Sequence, residues 1–205
     1  METNNKYTTE VTDEEIANGV KDEYGVLYSL DGKRLLKCND DIESYTIKEG
    51  TKVICDKAFS WCSSLQSIVI PDSVTEIGDW AFEHCKSLQS IVIPDSVTEV
   101  SEGAFSGCSS LQSIVIPNSV TEISERAFLG CSSLQNIEIP NSITKIGDSA
   151  FEWCSSLQSI EIPNSVTEIG LMAFSECESL RSIDIPESVT EIGWNTFNGC
   201  SSLKT

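Results

Sequence analysis

Histidine and basic residues are scarce in this chain, and long apolar runs are missing altogether. The one histidine, His84, has no second imidazole to join it at a metal and no serine or cysteine partner placed to complete a catalytic triad. Thirteen Lys and Arg stand against thirty-two Asp and Glu, a net charge of −19. Such a field repels phosphate backbones and anionic lipid surfaces, which sets nucleic acid aside as a partner. No segment approaches the roughly 20 apolar residues that cross a bilayer, so membrane insertion is not expected. The start, METNNKYTTEVTDEE, has neither the basic opening nor the apolar stretch of a signal peptide. The expectation is either a protein kept inside the cell or an export signal outside this sequence.

What the chain does have is repetition. All seven phenylalanines lie 23 residues apart, from Phe59 to Phe197; seven of nine cysteines keep the same step, from Cys62 to Cys200, as do all six prolines, from Pro71 to Pro186. A fixed period in this range marks a solenoid, in which each unit is one turn of a coil and packs mainly on its neighbours. Within a unit, LQSIVI reads as a short strand that turns Ile68 and Ile70 to one face. Pro71 has no N–H to give and ends the pairing. SVTEIG reads as a second short strand with Val74 and Ile77 inward. The spacing of GDWAFEHC predicts a single helical turn, its N-terminus marked by Asp79, Glu102 or Glu125 and its buried side lined by Ala81, Phe82 and Cys85. One unit cannot bury enough apolar surface to offset its own ordering, so stacking is obligatory.

The stretch AFSGCSSLQSIVIPNSVTEI resembles the repeats of the BspA-like leucine-rich-repeat family of bacterial surface proteins, and the likeness extends over residues 42 to 205. The resemblance implies a right-handed leucine-rich-repeat solenoid of about seven 23-residue turns, each with two short strands and a short helical turn. It also implies a binding or adhesion role at the cell surface or in secreted form, with a protein or glycan ligand, and no catalysis or cofactor; a cytoplasmic location is the alternative. Residues 1–23 read as a polar N-terminal segment, with Thr12 and Glu15 spaced as a capping box for a short helix near 13–20. Residues 24–61 read as a β-hairpin around Asp31-Gly32 followed by a degenerate capping repeat in which Tyr45, Ile47 and Ile54 keep the register. Residues 62–205 are repeats that end in an incomplete unit, whose open edge raises the expectation of a homodimer through the C-terminal end.

Several columns invite a chemical reading. In-register cysteines on neighbouring coils stand about 4.8 Å apart, wider than disulfides need, and they form a line rather than a convergent set, so buried thiols are expected instead of bridges or zinc. A bridge between Cys38 and Cys55 in the cap stays open. Glu76, Glu99, Glu122, Glu168 and Glu191 form a file interrupted by Lys145, for which solvation and counter-ions suffice without calcium. Function is expected where units differ. The outward strand position reads Val69, Val92, Val115, Glu138, Glu161, Asp184, an apolar half and an acidic half, beside a row of Gln66, Gln89, Gln112, Gln135, Gln158 and Arg181. An exposed aliphatic row with a polar edge is a candidate docking surface. The turn side carries Trp61, Trp80, Trp153, Trp194 and Met172, and tryptophan is favoured at interaction hot spots. Trp80 and Trp153 join the strand column as candidate ligand-binding residues. His84, four residues after Trp80, is expected to pack on it at the surface.

Overall fold

In the computed structural model, residues 7–38 and 42–204 are described. They form a strand-dominated solenoid. Each coil contributes a rung of two or three residues from its LxxIxI segment, and the rungs pair in parallel at the 23-residue step: Ser44↔Ser67, Ser90↔Ser113 and Ser159↔Ser182. These rungs form one ladder from Ser44–Thr46 to Ser113–Val115 and a second from Asn136–Ile137 to Ser182–Asp184. The break between the ladders falls where the outward column changes from valine to acid. The SVTEIG segments make parallel rungs of their own, such as Glu76–Ile77 on Val53–Ile54 and Lys145–Ile146 on Glu122–Ile123.

Period-two alternation directs the isoleucines of each rung inward, and Ile91, Ile93, Ile114 and Ile116 are all buried. The Phe column runs through the core as a stack. Successive rings from Phe59 to Phe197 lie 5.2–5.8 Å apart with planes within 15° of parallel, an offset arrangement that avoids face-to-face repulsion.

The third side of the coil departs from the sequence expectation: no helical turn forms at GDWAFEHC. The chain there makes two tight turns, each passing through a left-handed residue four positions from the other. Trp80 (φ 57°) and His84 (φ 55°) hold these places in one coil, Gly103 and Gly107 in the next. The A-F-x-x-C spacing imitates a helix, yet the stretch spends its amides between coils instead of within one. Three N–H groups per coil donate to carbonyls 22 residues on, as in Trp80→Glu102, Phe82→Ala104 and His84→Ser106. All point toward the C-terminal side, and the pattern repeats through every coil from Lys57 to Glu176.

The N-terminal end is covered. Helix Asp13–Asn18 starts at a Thr12/Glu15 capping box, and Arg34 of the hairpin is held by the Glu15 carboxylate and the Glu10 carbonyl. The hairpin pairs Leu27–Tyr28 with Arg34–Lys37 in antiparallel fashion. Arg34–Lys37 then pairs in parallel with Val53–Ile54, taking the place of a preceding coil.

Candidate binding surface

The six outward strand positions come together as one column. Val69, Val92 and Val115 are 58%, 61% and 56% exposed, with Val92 directly beside Val115 in the ladder. Glu161 pairs in register with Asp184, and Glu138, one residue past its rung, continues the same line. Around these acids the surface dips into two adjoining clefts of about 390 and 530 Å³, floored by Ile160 and Ile162 and edged by Asn141, Asn164 and Pro186. Two basic residues neutralise acids elsewhere on the coil. Lys145 neutralises Glu168 at 3.2 Å, and Arg126 holds Glu125 at 2.6 Å and Glu102 at 3.5 Å. No ion pair engages Glu138, Glu161 or Asp184 among the described residues.

The turn side is less unified. Trp80 and Trp153 occupy different columns: Trp80 is half-buried with its ring lying over Gly103, whereas Trp153 is exposed at the second left-handed position. His84 does not pack on Trp80. Its ring centroid lies 4.2 Å from that of Trp61 in the preceding coil, and Lys86 sits over the same indole. The pairing follows the 23-residue step, a signal that a helical reading of the turn conceals.

The cysteines are thiols rather than disulfides, and Cys38 and Cys55 form no bridge. From Cys85 onward each repeat thiol instead donates to the carbonyl of the phenylalanine 26 residues back, at 3.2 Å for Cys85→Phe59 and 3.1 Å for Cys200→Phe174. A sulfhydryl here is a small apolar group with one useful donor. Burial pushes the thiols of Cys55 and Cys154 up to about 12 and raises those of Cys131 and Cys177 as well. The adjoining Cys108 thiol, together with burial, does the same for Cys85. They are poor nucleophiles and poor metal ligands, and no cluster of three metal-binding side chains occurs among the described residues. A separate cleft at the N-terminal cap, beside Tyr7 and Leu30, contains Arg34, whose guanidinium already serves Glu15 and Glu10.

A coil of 23-residue turns with an inward Phe and Cys column and parallel LxxIxI rungs agrees with a family comparison. The BspA type leucine rich repeat region matches in six copies, over residues 32–155 and 121–205. The chain belongs to this family. Among solved structures it is similar to a leucine-rich repeat protein from Eubacterium ventriosum, at 28% identity and a TM-score of 0.80 over 92% of this chain and 51% of that one. It is also similar to a leucine rich repeat protein of T. pallidum, at 29% identity and a TM-score of 0.78 over 95% and 91%. A leucine rich cell surface protein from Faecalibacterium prausnitzii aligns at 31% identity and a TM-score of 0.58 over 80% and 59%. The chain thus spans about half the length of the Eubacterium protein. Comparison with curated proteins found no match. Leucine-rich-repeat proteins of this family are in general protein-interaction modules without catalysis, and no helix among the described residues is long and apolar enough to cross a membrane.

Proposed function

We propose that this chain is a non-enzymatic interaction module that holds a protein partner along its strand face, at the cell surface or in secreted form. The observation that carries the reading is the column from Val69 to Asp184: half aliphatic and exposed, half acidic with no ion pair among the described residues. A protein suits this face better than a glycan, because among the described residues no exposed aromatic ring lies on it for a sugar to stack against. The location draws on the family match and on the Faecalibacterium relative, described as a cell surface protein. The test cross-links a partner to the wild-type chain and purifies it. Its affinity is then compared with that for a V69K/V92K/V115K variant, which should bind at least tenfold more weakly. Unchanged affinity would move the site off the strand face. Antibody labelling of intact cells tests the location.

A further inference from the structure

The strand face is divided into two zones of matched length, and this division specifies a partner. Three coils present Val69, Val92 and Val115; the next three present Glu138, Glu161 and Asp184. Successive rungs of a parallel ladder stand about 4.8 Å apart, so the six positions run roughly 24 Å along the solenoid axis. An α-helix laid along that axis advances about 5.4 Å per turn and drifts out of step by only about 3 Å over five coils. An extended strand repeats its side chains every 6.6 Å or so and drifts by about 9 Å, nearly two coils. Side-chain flexibility absorbs the first mismatch and not the second.

Chemistry fixes the rest. The valine half offers apolar area to side chains of like kind. The acidic half offers three carboxylates with no cation of their own among the described residues, beside clefts wide enough to take long side chains. Lysine and arginine fit this geometry, since their long flexible stems let the charged ends reach the carboxylates. Asn141 and Asn164 stand at the edge as further acceptors for guanidinium or ammonium donors.

We infer that the strand face binds one amphipathic helix of about 19 residues, apolar at its first or last three facing positions, one turn apart, and basic at the other three. The inference rests on the strand face being the binding surface, and it adds the shape and charge order of what binds there.

The probe is a designed 19-residue fluorescent peptide with leucine at its first three facing positions and lysine at the next three. Two controls accompany it. One has the same composition with leucine and lysine interleaved down the face; the other is the segmented sequence with a central proline. Fluorescence anisotropy at 50 mM salt should show the segmented peptide binding at least tenfold more tightly than either control. An E138K/E161K variant should lose at least tenfold of that affinity, and its far-UV spectrum should be unchanged because both positions are exposed. Equal binding of all three peptides, or affinity unaltered in E138K/E161K, overturns the inference. Its failure is separable from that of the parent reading: if no helical peptide binds but V69K/V92K/V115K still loses the cross-linked partner, the strand face stands and the helix falls.

Discussion

The cysteine column makes this protein sensitive to alkali, and the size of the effect follows from burial. Cys55, Cys85, Cys131, Cys154 and Cys177 are fully buried, and all five thiols are raised. In the unfolded chain a thiol titrates near 8.5. A group raised in the folded state keeps its proton there while the unfolded chain gives it up. The contribution to stability is therefore complete below about pH 8.5 and declines as pH rises toward the folded value, about 12 for Cys55 and Cys154. Each thiol removes about 0.8 kcal/mol at pH 9 and about 1.4 kcal/mol at pH 9.5, so five together remove about 4 and then about 7 kcal/mol. Set against a folding free energy of roughly 5–15 kcal/mol, this predicts loss of structure between about pH 9 and 10. Urea denaturation followed by far-UV circular dichroism, under reducing conditions at half-unit steps from pH 7 to 9.5, measures it. A C131A/C154A variant starts less stable but should lose stability less steeply, at about 3.5 instead of about 6 kcal/mol per pH unit above pH 9. Constant stability across that range, or an identical slope in the variant, would refute the argument.

At pH 7.5 a thiol-specific chromophoric reagent should react within minutes only with Cys200, which is half-buried at the last coil, and reach the other cysteines only on unfolding; several thiols reacting in the native state would contradict their burial. Phe128→Ala, in the middle of the stack, should cost about 3–5 kcal/mol in urea denaturation, and Phe197→Ala, partly exposed at its end, less than half as much. Gly107→Ala should cost about 1–2 kcal/mol for its left-handed backbone (φ 70°) plus the displacement of the His84 ring, which lies where the new methyl would go. In a His84→Ala background only the ring component should disappear; a cost unchanged there would show that the ring makes no difference.

Much of the fold is legible in the sequence because its causes are local and repeated. Proline after each isoleucine pair ends a rung, Thr12 and Glu15 mark the helix start, and the 23-residue step aligns every inward column. The turn segment misleads because alanine, phenylalanine and cysteine at A-F-x-x-C suit a helical face equally well. The correcting signal was present in glycine at 103 and 107, four apart at left-handed positions that other coils fill with Trp80, His84, Arg126 or Met172. Those larger residues accept the strain because the coils on either side hold the backbone in place. The valine and acid column could also be read directly, by period two. Its lack of neutralisation could not, since that depends on whether a lysine or arginine from an adjacent coil reaches across. Lys145 and Arg126 do so on other columns and leave this one alone.

The turn ladder gives the coil a direction that the strand rungs alone do not. A parallel rung offers alternating donors and acceptors on each edge and is indifferent to which side a mate approaches from. In the turn segment three backbone amides per coil donate toward the C-terminal side, while the Cys thiol and the amide at the Gly78 position donate to the coil before, so each coil is tied to its two neighbours by groups of different kind.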